Sequence, residues 1–227
     1  MRILRKLSKS MLTCLLAFGI GHICRADSIL YTNLASGGTV YDYNHGWNVI
    51  GAASPLTNPP GSQFAPAFAF TPTSTAYLAG LDLALGHVAG TNAVTVDLMS
   101  DESGPGAVLE SWTVSGLPTN GICCPITALS GNGTVLLESG TTYWVAALPG
   151  DSVAFDSWAY NSTGASGTVF ENMGSGWALY SSGVTVGAFE VKGEASTIPE
   201  PGTLSLLGSG FLGLAGLLRR RSRRSAT

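Results

Sequence analysis

Between Asp27 and Ala195, apolar side chains recur at every second position, and Gly, Pro, Asn or Asp interrupts them roughly every eight to twelve residues. That period matches a pleated strand, whose side chains alternate between two faces, and it excludes a helix that must keep a stripe at 3.6. The clearest stretches are Leu81-Asp82-Leu83-Ala84-Leu85 and Val94-Thr95-Val96-Asp97-Leu98, which fit a sheet with one wet face. Residues 86–92 between them read as a turn, placing His87 in a loop. Further strands are expected at Ser28–Leu34, Phe64–Phe70, Val108–Val114, Ile122–Leu129, Val135–Glu138, Tyr143–Leu148, Val153–Tyr160, Thr168–Glu171, Ala178–Tyr180 and Gly187–Val191. About a dozen short strands joined by turns predict an all-β domain at 27–195, an antiparallel β-sandwich of jelly-roll-like form.

Charge divides the chain into three parts. Of 11 basic residues, five lie in the first 25 positions and five in the last nine, leaving Lys192 alone against 14 acidic residues between Asp27 and Glu200, a net charge of −13. A body that negative repels phosphate backbones and argues against nucleic-acid binding.

The N-terminal part, residues 1–26, has the order of a secretory signal. Arg2, Arg5, Lys6 and Lys9 precede a short apolar stretch from Met11 to Ile20, and small residues at Cys24 and Ala26 prepare a cut before Asp27. A signal helix removed by signal peptidase after Sec-type export is expected. Ile23 before Cys24 is the wrong neighbour for a lipid-modified cysteine.

The C-terminal part, residues 196–227, runs in reverse. A polar spacer holds Pro199-Glu200-Pro201, an uncharged run of 15 residues follows from Leu204 to Leu218, and Arg219, Arg220, Arg221, Arg223 and Arg224 close the chain. As a helix the run reaches about 22 Å, short for a bilayer core of about 30 Å, so it reads as a short, transient transmembrane helix. The arginines stop transfer and keep their end cytoplasmic, so the acidic body faces outward. In this order, the three features resemble the PEP-CTERM sorting signal. That resemblance implies processing near the motif by an exosortase-like membrane protease and passage to the cell surface or beyond.

The middle part resembles the choice-of-anchor group, most nearly its type R, at residues 81–86, 100–106 and 109–114, at Cys123-Cys124 and at Tyr143-Trp144-Val145. This resemblance implies a surface β-domain and brings no activity with it.

Few residues in the body invite chemistry. Cys123 and Cys124 are its two cysteines, and in an oxidising compartment a disulfide between them is expected, with free thiols or bridges to other chains as the alternatives. Across a trans peptide their Cα atoms would lie about 3.8 Å apart, below the usual disulfide range of about 4.4–6.8 Å. His45 and His87 sit in no hydrolase motif and read as exposed loop residues. Asp97, Asp101 and Glu102 flank a Gly104-Pro105-Gly106 turn that could suit calcium, though at no EF-hand spacing. Trp47, Trp158, Tyr160, Trp177 and Tyr180 could stack on sugars or fill a core.

No catalytic residue, metal site or cofactor is therefore expected. The sequence reads as a non-enzymatic surface or extracellular-matrix protein, associated with exopolysaccharide or biofilm. A carbohydrate-binding module and a secreted hydrolase with an unrecognised site are the alternatives.

Overall fold

The computed structural model describes residues 27–37, 40–55 and 61–194. The chain divides into two units between Ala195 and Ser196, and the described residues belong to the first. The expected signal and tail helices lie outside them, as do Ala26, Pro199, Glu200, Pro201 and the terminal arginines at 219–224.

Every regular element among the described residues is a strand. In chain order these are β1 (Ser28–Thr32), β2 (Tyr41–Ile50), β3 (Ala65–Phe70), β4 (Ala76–Leu83), β5 (Leu85–Ala89), β6 (Ala93–Asp101) and β7 (Pro105–Ser115). They continue with β8 (Thr127–Ser130), β9 (Leu136–Leu137), β10 (Tyr143–Pro149), β11 (Phe155–Asn161), β12 (Ser166–Asn172), β13 (Trp177–Thr185) and β14 (Phe189–Glu194). All neighbouring strands pair antiparallel, in three sheets. The first runs β1-β14-β4-β8 with β9 beside β4, the second β13-β12-β3-β10-β6-β7, and the third β2-β11-β5.

The alternation seen in sequence is the alternation seen in burial. Val94, Val96 and Leu98 of β6 are fully buried, while Thr95 and Asp97 between them are half-buried. In β4 the phase breaks at Ala79-Gly80, where Lys192 of β14 faces Gly80 and the next residue, Gly193, faces Leu78. This bulge lets Leu78, Leu81 and Leu83 all face inward. Strands β3 and β10 sit mid-sheet and are buried on both faces. Their outer face meets Met99, Phe170 and Trp177 through Trp144, whose Nε1 donates to Asp101 Oδ1 at 2.7 Å.

One apolar core joins all three sheets and makes the packing sandwich-like. At its centre Trp158 is fully buried, meets Phe68 edge-on at 4.6 Å and Phe189 at 5.7 Å, and donates Nε1 to Ala188 O at 2.9 Å. Gly187 makes room for it, since a Cβ there would fall 2.6 Å from Phe68 and 2.8 Å from Trp158.

Several sequence expectations shift. Strand β2 is absent from the expected set, because Asp42, Asn44, His45 and Gly46 look like turn residues. Residues 86–89 form strand β5 instead of a turn, and residues 122–126 form a loop ahead of β8. The strand at 187–191 starts at Phe189 and runs on to Glu194.

Candidate functional site

Both ends of the domain leave from one place. Ser28, the second residue after the expected cut, faces Gly193 across the β1–β14 ladder, and Ser28 Oγ donates to Gly193 O at 3.2 Å. Strand β14 ends at Glu194, five residues before Pro199. A buried Asn33 clamps the same region. Its Nδ2 donates to Gly187 O at 2.8 Å, and its Oδ1 accepts from Phe189 N at 2.7 Å. The first strand of the body is thus fastened to the last strand before the tail.

The PEP-CTERM protein-sorting motif matches residues 197–224. That span takes in Pro199-Glu200-Pro201, the apolar run and all five terminal arginines. The motif suggests an exported, exosortase-sorted protein that is held in the membrane until a membrane protease cuts it. No curated protein matches the chain.

Cys123 and Cys124 are joined by a disulfide, with Cys123 exposed and Cys124 half-buried. The peptide between them is cis rather than the expected trans, and their Cα atoms lie 3.0 Å apart. Cys124 packs against a small cluster of Tyr41, Ala84, Ala159 and Ala188. Tyr41 Oη donates to Pro125 O at 2.9 Å. Upstream, the same loop clasps the β5 edge: His87 N donates to Pro118 O at 2.7 Å and Asn120 N donates to His87 O at 2.8 Å. Asn92 fastens Leu117 through both backbone groups, at 2.9 and 2.7 Å. An open strand edge is thereby covered, which guards it against pairing with another chain.

His87 is not the exposed turn residue that the sequence suggested. It lies on β5, its side chain 23% exposed, with Nδ1 2.9 Å from Oδ1 of the fully buried Asp156 on β11. Burial pushes the Asp156 carboxyl up to about 6, against the opposing pull of the His87 hydrogen bond. Its second oxygen, Oδ2, is buried without a partner. The neighbouring Ser157 hydroxyl is turned to Asn120 Oδ1 at 2.5 Å, so the three residues form no Ser–His–Asp relay. The pair braces the loop that β5 carries. No motif marks it in the sequence, and its members stand 69 positions apart.

His45 sits on β2, not in a loop, but is exposed as expected, with Nδ1 2.8 Å from Asp42 Oδ2. That hydrogen bond holds the Asp42 carboxyl below its ordinary value. Two of the three acids flanking the Gly104-Pro105-Gly106 turn have other partners. Asp97 Oδ1 accepts from Ser111 Oγ at 2.6 Å, and Asp101 Oδ1 accepts from Trp144 Nε1 and from Gly104 N at 3.3 Å. Among the described residues no three His, Cys, Asp or Glu side chains gather as a metal set. Nor do the five aromatics form a platform: Trp47 and Trp158 are core, Tyr160 and Trp177 are half-buried, and Tyr180 alone is exposed.

Proposed function

We infer that the chain is a non-enzymatic protein of the cell surface or extracellular matrix, delivered there by its sorting tail. The observation that carries this reading is the motif at 197–224, placed a few residues beyond the last strand of a folded body. The signal-like order of residues 1–26 and the likeness to the choice-of-anchor type R group add to it. So does the use of the body's polar groups, where His87, Asp156, Ser157 and Asn120 brace a loop. A body of net charge −12, from 13 acids and one lysine that is paired to an aspartate, suits a soluble module working outside the cell, in cohesion of an exopolysaccharide or biofilm layer.

The tail works by elementary physics. Five arginines cross a bilayer only at high cost, so transfer stalls with the Pro-Glu-Pro segment at the outer end of the short apolar run. Proline has no N–H to give a helix, and the residue before a proline avoids helical dihedrals, so the motif's composition suits the extended strand that a protease binds. Glu200 is its one charged group. Glu200→Ala should leave the protein exported but held in the inner membrane with its tail attached. If that variant reaches the exterior trimmed like wild type, the motif is not read and the tail is an ordinary anchor.

A further inference from the structure

A concavity of about 500 Å³ opens where β2 and β11 end, lined chiefly by Asp42, Tyr43, Asn44, Tyr160, Asn161 and Thr185. It exists because β2 bulges. Asp42 faces Tyr160 and Gly46 faces Ala159, so residues 43–45 are extra in the ladder and swing outward. Such bulges re-aim side chains, and this one points Tyr43 and Asn44 to the rim of the groove.

The lining is built on the core. Tyr43 rests on the Tyr41–Ala84–Ala159–Ala188 cluster, and Tyr160 meets Trp47 edge-on at 5.9 Å. Asn161 shapes the floor, its Nδ2 donating to Ala165 O and Val186 O, each at 2.8 Å. Asp42 accepts from Asn44 N at 3.0 Å and from His45, and a carboxylate has about four lone-pair sites, so it can still accept from a ligand. Two half-exposed aromatic rings and one ionised acceptor thus surround a space of ligand size.

Charge narrows the ligand further. The described residues contain no arginine and one lysine, Lys192, which pairs with Asp82 at 2.5 Å in a different sheet. The groove offers a carboxylate and no lysine or arginine, so a polyanion is repelled. A wholly apolar guest would strand Asp42 and Asn44 without water. A neutral ring with apolar faces and a girdle of hydroxyls meets both demands.

We propose that this groove binds a neutral oligosaccharide, with Tyr43 and Tyr160 against sugar faces and Asp42 accepting from ring hydroxyls. The proposal deepens the matrix reading and rests on it, yet is tested apart from the tail. The assay is affinity electrophoresis of the full chain, purified in detergent, through gels holding galactomannan, glucomannan, mixed-linkage β-glucan, dextran or alginate. At least one neutral polymer should retard it, and alginate should not. Tyr43→Ala and Asp42→Asn should each weaken retardation about tenfold or more, the size of one or two lost polar or stacking contacts, while Tyr180→Ala, outside the groove, should not. Melting curves of each variant accompany the gels, and Asp42→Asn, which keeps the side-chain shape, decides if Tyr43→Ala unfolds. No retardation by any neutral polymer, retardation by alginate alone, or unchanged retardation of folded Asp42→Asn overturns the proposal. Tail trimming scored in cells stays normal in these variants, so failure of the groove and failure of the sorting reading are told apart.

Discussion

Replacing Asp156 by Asn should change how stability depends on pH more than it changes stability at any one pH. The carboxyl is fully buried, and its pKa is raised from 3.8 to about 6, chiefly by burial. Below pH about 4 it is protonated in both folded and unfolded chains and contributes no slope. Between about 4 and 6 the unfolded chain has released this proton while the folded chain keeps it, so rising pH favours unfolding. One pKa unit is about 1.4 kcal/mol, so a rise of about two units costs wild type about 3 kcal/mol by pH 7. Asparagine does not titrate and escapes this loss, and the value of about 6 already includes the opposing hydrogen bond from His87. Urea unfolding of both proteins at steps from pH 4 to pH 7 isolates the group, because all other titrations cancel in the difference. Between pH 4 and pH 7 the stability difference should move toward the variant by about 3 kcal/mol, the full effect of the two-unit rise. Parallel curves across the whole range would show that Asp156 is solvated and that the brace carries no such cost.

Two further substitutions probe how the chain ends and the loop are held. Asn33→Ala should lower the urea-derived stability by about 2–6 kcal/mol, since it leaves Gly187 O and Phe189 N without their side-chain partner at about 1–3 kcal/mol each; a loss below about 1 kcal/mol would mean water replaces the clamp. Replacing Cys123 and Cys124 together by Ser should cost clearly less than the roughly 2–5 kcal/mol of an ordinary structural disulfide, because adjacent residues close no loop in the unfolded chain; a larger loss in the same assay would assign the ring an essential part in seating Cys124 on its cluster.

How far the sequence could be read depended on whether each element is governed locally. Strand β6 shows its alternation plainly because one face is wet and the other is core. Strand β5 hid behind Gly86 and Gly90, which look like turn residues. Gly90 does turn, with φ at +73°, but Gly86 is in a strand and is small because Asn120 passes 3.0 Å from where its Cβ would sit. That crowding comes from a loop more than thirty positions away, beyond any local pattern. Strand β2 was masked by its own bulge, whose polar residues break the period at 43–45. The same bulge makes the groove, since Asp42 and Tyr160 meet only through the β2–β11 register. The tail is the opposite case. Its composition, order and position at the terminus are all sequence properties, so its motif was legible without a fold.

Whether this body reaches the exterior through removal of its tail is read from the intact mass of the protein recovered outside the producing cells. The recovered chain should begin at Asp27 and end near the Pro199–Pro201 segment, lacking Leu204–Leu218 and the terminal arginines. Exterior protein whose mass still includes residues 204–224 would contradict this removal.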